Sequence, residues 1–148
     1  MKKVISLFLI LGLVGCGTTS GRIGELPTIV NKESAAKVIV VRVSSIVGAA
    51  NGYTISHNGK DVFGIGSGEY AEFFVPQGEH YIAAKCFGGW SPTWKEDSVK
   101  FVAKPSESNF FVVSPTMRCA EIKSSSDAET KKLLDSSKRI DLEKLIVK

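Results

Sequence analysis

Histidine is scarce: in 148 residues only His57 and His80 carry an imidazole. Neither has serine, cysteine and carboxylate partners at a motif spacing, so the usual hydrolytic constellations are excluded and the chain reads as no enzyme. Cysteine is scarce too, at three residues, Cys16, Cys86 and Cys119. No histidine or acidic cluster stands at ligand spacing around them, so no metal is expected. The apolar run from Val4 to Val14 is about 11 residues. As a helix it measures roughly 16 Å against a hydrocarbon core of about 30 Å, too short to span comfortably. Charge of one sign is not concentrated either: 19 Lys and Arg face 15 Asp and Glu. The basic residues are scattered, so nucleic acid is not an expected partner. Gly64-Ile65-Gly66-Ser67-Gly68 is glycine-rich but follows a hairpin instead of leading from a strand into a helix. It lacks the setting of a phosphate cradle, and no cofactor is expected.

What is present begins at the N-terminus. Met1-Lys2-Lys3 precedes the apolar run, which ends in Leu13-Val14-Gly15-Cys16. Basic residues, a short apolar core and small residues before a cysteine form an export signal with a thiol at the cleavage point. The pattern resembles the lipobox of bacterial lipoproteins. The resemblance implies a signal peptide over 1–15, cleavage before Cys16, a diacylglycerol on its Sγ and acylation of the new amino group. An ordinary secretory signal, with Cys16 incidental, is the competing reading. Two or more acyl chains anchor durably where one holds reversibly. Gly17 follows the cysteine where an inner-membrane retention signal would place Asp, so for an enterobacterial chain the resemblance implies the outer membrane, periplasm-facing.

Without 1–15 about 133 residues remain, near +2 in charge, which suits one domain. Cys86 and Cys119 are then an even pair in an oxidising compartment, and a bridge between them is expected. Two buried free thiols are the alternative. Residues 16–35 are rich in Gly, Thr, Ser, Asn and Pro and read as a lipidated N-terminus followed by a flexible tether, although Leu26 to Val30 has the apolar content to pack back as an edge.

The body of the chain reads as β. Lys37 to Val43 is β-branched almost throughout and belongs near the middle of a sheet. Asn58-Gly59 between two alternating runs is a type I′ hairpin signal that pairs His57 with Lys60, Ser56 with Asp61, Ile55 with Val62 and Thr54 with Phe63. Val75-Pro76-Gln77-Gly78 suits a type I turn. His80, Ile82, Ala84 and Cys86 then share an inward face, where His80 fits a satisfied core residue better than a base. Ser98 to Lys104 alternates, Asn109 to Val113 follows a turn, and Met117 to Lys123 is the last strand. Over 124–148 a helical tail is expected: Ser126 and Glu129 have capping-box spacing, Leu133 and Leu134 are the buried contacts, and Ile140, Leu142, Leu145 and Ile146 form a second amphipathic piece or fray.

Asn58-Gly59-Lys60-Asp61-Val62, Gly64, Gly68-Glu69-Tyr70 and Val75-Pro76-Gln77-Gly78-Glu79-His80 together resemble the DUF2846 family of small bacterial lipoproteins and the related PEGA-like repeats. The resemblance covers 36–123. It implies an all-β fold, a small immunoglobulin-like or PEGA-like β-sandwich of about seven strands, and it carries no catalytic residues across. The chain departs from that pattern at Gly88-Gly89-Trp90-Ser91-Pro92-Thr93-Trp94 and in the expected disulfide. Phe87, Trp90 and Trp94 around this insertion either stack on a sugar or apolar partner or fold down over the open end of the sandwich. The expected role is a lipid-anchored, non-enzymatic binding or scaffolding protein of the envelope. Its alternatives are a peptidoglycan-binding module using Trp90 and Trp94, or an inhibitor of a lytic enzyme. The last rests on Ser67-Gly68-Glu69-Tyr70, which is one residue short of the Ser-Gly-x-x-Tyr loop of lysozyme inhibitors.

Overall fold

Seven residues, Ala36–Arg42 (β2), form the middle strand of a five-stranded sheet, and their composition says why. Val38 and Val40 point into the core while Ile39 and Val41, on the opposite face, are buried as well. A strand covered on both faces reads as an unbroken β-branched run. The outer cover is the helix Asp127–Leu134 (α1), which packs over β2 and the strand Ser108–Pro115 (β8).

The computed structural model describes residues 20–49, 51–87 and 94–143. The fold is mostly β, in two sheets. The first runs Gly21–Arg22 (β1), Lys60–Ile65 (β4), Tyr53–His57 (β3), Gly78–Phe87 (β6) and Trp94–Ala103 (β7) from edge to edge. The second runs Lys138–Arg139 (β10), Glu69–Val75 (β5), β2, β8 and Ala120–Ser125 (β9). Two pairings are parallel, β2 with β8 and β5 with β10; the others are antiparallel. Phe63 against Phe73 and Phe101 against Phe111 join the sheets, with ring centroids 6.0 and 4.9 Å apart.

Strand direction sorts the connections into two ends. At one, the loop end, lie the connection 43–52, the turn 66–68, the turn 116–119 and Ser20; the link between β6 and β7 also starts and finishes there, outside the described residues. At the other, the turn end, lie Asn58-Gly59, Pro76-Gln77 and 104–107.

The hairpin turn forms as expected, with Asn58 at φ 48° and Gly59 at φ 81°. Ser56 pairs Asp61 and His57 pairs Lys60, but beyond them the register differs from the expected one: Ile55 pairs Phe63, Thr54 pairs Gly64 and Tyr53 pairs Ile65. Val62 is an extra residue, a bulge, and it lets both Val62 and Phe63 bury.

The expected flexible tether is corrected over its later part. Gly21 and Arg22 pair with Gly64 and Phe63, and the N–H groups of Ile23 and Gly24 both donate to the Val62 carbonyl at 2.9 and 3.0 Å. A Cβ on Gly24 would sit 2.0 Å from the Asp61 carbonyl oxygen, so only glycine permits this approach. Leu26 packs on the core.

The helical tail is corrected too. Ser126 caps α1 by accepting from Glu129 N, but Glu129 takes the Ser125 hydroxyl instead of completing the box. Leu133 and Leu134 are only half-buried, and Thr130 is the residue α1 buries fully. The chain then returns as β10, and Ile140 and Leu142 enter the core from extended backbone. Leu145 and Ile146 lie outside the described residues. The ordered domain therefore reaches past 36–123 in both directions.

Candidate functional site

At the loop end the central group is a buried cation. Arg42 closes β2 with no exposed surface, between the two sheets. Its Nη1 donates to the carbonyls of Asn51 at 2.6 Å and Ile65 at 3.1 Å, and its Nη2 donates to Gly48 at 2.7 Å. The guanidinium carbon stacks 3.9 Å from the Tyr53 ring centroid. Burial lowers the Arg42 pKa from its ordinary value, with Tyr53 and Glu69 opposing, and guanidinium remains charged. Carbonyls of a loop take the place of a carboxylate partner, so the 43–52 connection folds around the cation. Burial also raises the Tyr53 pKa, which keeps the hydroxyl a donor; it donates to the Cys119 carbonyl at 3.0 Å.

Cys119 forms a disulfide with Cys86, their Cα atoms 5.8 Å apart, which ties β6 to the turn before β9. Ser45 N donates to Ser67 Oγ at 3.1 Å, and that hydroxyl donates back to the Ser45 carbonyl. The loop end is thus held by a cation, a disulfide and a serine clasp. Its tips are apolar all the same: Ile46 is 98% exposed, Val47 67% and Met117 101%.

The turn end holds the two histidines, each 8% exposed. His80 Nε2 lies 2.8 Å from the Pro76 carbonyl, which only accepts, so that nitrogen carries the proton. Its Nδ1 is then the acceptor for His57 Nε2 at 3.0 Å and for the Asn58 amide at 3.2 Å. Burial first, and His80 second, lower the His57 pKa to about 4. Outside the pair lies an open hollow of about 600 Å³ lined by Glu79, Tyr81, Lys100, Phe101 and Val102. Both histidines are satisfied by each other and by a turn carbonyl, as expected for His80; the pairing with His57 had no signal in the sequence, since 23 residues separate them.

The lipobox residues Leu13, Val14, Gly15 and Cys16, and Trp90, lie outside the described residues. Phe87 and Trp94 are backbone partners at the last rung of β6 and β7, so Trp94 belongs to a strand that begins earlier than the expected Ser98. Ser67-Gly68-Glu69-Tyr70 is engaged within the domain: Ser67 with Ser45, the Glu69 carboxylate with Gly66 N at 2.7 Å, and Tyr70 across from Val41. Among the described residues no group of three His, Cys, Asp or Glu is placed to hold a metal. No described helix is long and apolar enough to cross a membrane. No protein-family model, no curated protein and no solved structure matches this chain.

Proposed function

We propose that this chain is a lipid-anchored envelope protein, acylated at Cys16, whose β-sandwich of the DUF2846-like or PEGA-like kind serves as a non-enzymatic binding or scaffolding module facing the periplasm. The observation that carries the reading is Leu13-Val14-Gly15-Cys16 at the end of a short apolar run behind two lysines. The Cys86–Cys119 bridge supports it, because disulfides persist in exported compartments and are rare in reducing ones. The fold supports it as well: the conspicuous polar groups, Arg42 and the histidine pair, are engaged in holding loops and turns.

Membrane fractionation with Cys16→Ser tests the anchor. The full chain is expected in the membrane pellet carrying radiolabelled palmitate, and the variant in the soluble fraction without label. A variant that still travels with membranes overturns the reading. In-cell crosslinking addresses the scaffold role: recovery of a discrete envelope protein is expected, and none recovered counts against it.

A further inference from the structure

The position of Ser20 bears on how the domain meets its membrane. Ser20 stands at the loop end, where a Cβ on Gly66 would lie 3.1 Å from its Oγ. It is held there, since the residues after it pair with β4 and hang on the Val62 carbonyl. Gly66 adjoins Ser67, Ser67 clasps Ser45, and Ser45 precedes the exposed Ile46 and Val47. On the far side of that loop, a Cβ on Gly48 would lie 3.6 Å from Pro115, at the base of the turn that bears Met117. Chain entry and apolar tips therefore share one end.

Resting on the acylation of Cys16 proposed above, the geometry points to a fixed orientation: the loop end faces the bilayer, and Ile46, Val47 and Met117 dip into its interface. Length decides it. Cys16 to Ser20 is four residues, which span at most about 14 Å. The longest strands, β6 and β7, are 10 residues each, about 33 Å from end to end. The registers through Gly64, Thr54 and Lys85 put Ser20 about eight residues, roughly 26 Å, from the far end of β6, so for the turn end to touch the membrane the connection would have to span nearly twice what it allows. The apolar tips supply the second half of the argument. Side chains this exposed lose nothing on transfer from water into the interface, and a short tether makes that transfer intramolecular. The occupant is a lipid surface and not a second copy of the chain, because the anchor holds this end against lipid continuously.

Fluorescence depth measurement on the full chain, reconstituted into phosphatidylcholine vesicles with a headgroup-region quencher, tests the orientation. An environment-sensitive label goes on Ile46→Cys or, as an independent site, Met117→Cys, with Gln77→Cys at the turn end for comparison. The disulfide leaves the introduced thiol free to react. The labels at 46 and 117 are expected to shift to the blue and to be quenched several-fold more than the label at 77. A chain that floats with vesicles but quenches equally at both ends overturns the orientation and leaves the anchor standing. A chain that does not float overturns both. Label-to-label quenching at 46 without lipid quenching means that a second copy occupies the tips, and overturns the lipid assignment.

Discussion

The two ends of this sandwich solve the same problem, closing a core where strands stop, with opposite means. The turn end closes with short reversals, Asn58-Gly59 and Pro76-Gln77, and its histidines satisfy each other and the turn between them. The loop end closes with a connection about ten residues long, folded on a buried guanidinium and flanked by a disulfide. Turn geometry stabilises locally and needs few long-range partners. A long loop needs an organiser, and once it has one its tip residues are released from packing.

If Arg42 is that organiser, its loss should cost more than any other single change at either end. Arg42→Met keeps much of the volume and removes the donors, leaving the carbonyls of Gly48, Asn51 and Ile65 without their partner. About 3–5 kcal/mol of stability is expected to go, given about 1–3 kcal/mol for each buried acceptor left unpaired and the partial access of water to two of them. Urea unfolding measures the total, and hydrogen exchange should show the loosening confined to 43–52. Arg42→Lys is expected to recover little, since an ammonium cannot fork to three carbonyls and stack on Tyr53.

The disulfide comes next. Cys86 and Cys119 are 33 residues apart, and in the chain-entropy account their bridge stabilises by about 3–4 kcal/mol. Cys86→Ala with Cys119→Ala should lower the urea midpoint accordingly and leave the turn end's exchange protection unchanged relative to the global value. Equal losses of protection at both ends would erase the distinction between them.

The turn end has its own lever, pH. His57 titrates near 4 when folded against an ordinary value of 6.5, so between those values the unfolded chain binds a proton that the folded chain refuses. Stability is complete above the ordinary value and falls as pH drops towards 4, by about 2–3 kcal/mol. His80, Lys60 across the hairpin, and Lys100 and Glu79 at the hollow are ionisable neighbours; Glu79, the anion among them, is exposed, and solvent screening weakens its offset of the new charge. Denaturant unfolding at pH 7 and pH 4.5 checks this, and His57→Gln should remove the part of the slope that carboxylates do not account for.

The same contrast explains what could be read in advance. Asn58-Gly59, the alternation through Val99, Phe101 and Ala103, and the β-branched run of β2 carry their structure in side-chain pattern, and each formed where expected. The N-terminal pairing did not show, because Gly21, Arg22 and Gly24 join the sheet through backbone groups that any sequence possesses. Arg42 lies inside that β-branched run, but its burial and its hold on the loop left no signal, since a buried cation without a carboxylate partner makes no motif. Ile140 and Leu142, two apart, carried a strand period, but Leu145 and Ile146 made the stretch look helical. The Val62 bulge is invisible for a related reason: one residue added inside an apolar run leaves the composition unaltered.

The smallest expected effect separates the ends most sharply. Ile46→Ser and Met117→Ser alter side chains that are 98% and 101% exposed, so unfolding of the detergent-solubilised chain should change by no more than about 0.5 kcal/mol. Folding thus gives no account of why these positions are apolar. An isolated exposed isoleucine is unremarkable on any protein surface, but Ile46, Val47 and Met117 top neighbouring loops at the end where the chain enters. If the double variant unfolds like the original yet its vesicle-bound form loses the difference in quenching between loop end and turn end, the tips serve contact with lipid and not the core. If it unfolds several kcal/mol earlier, the tips belong to the core after all, and the loop end is closed by packing just as the turn end is.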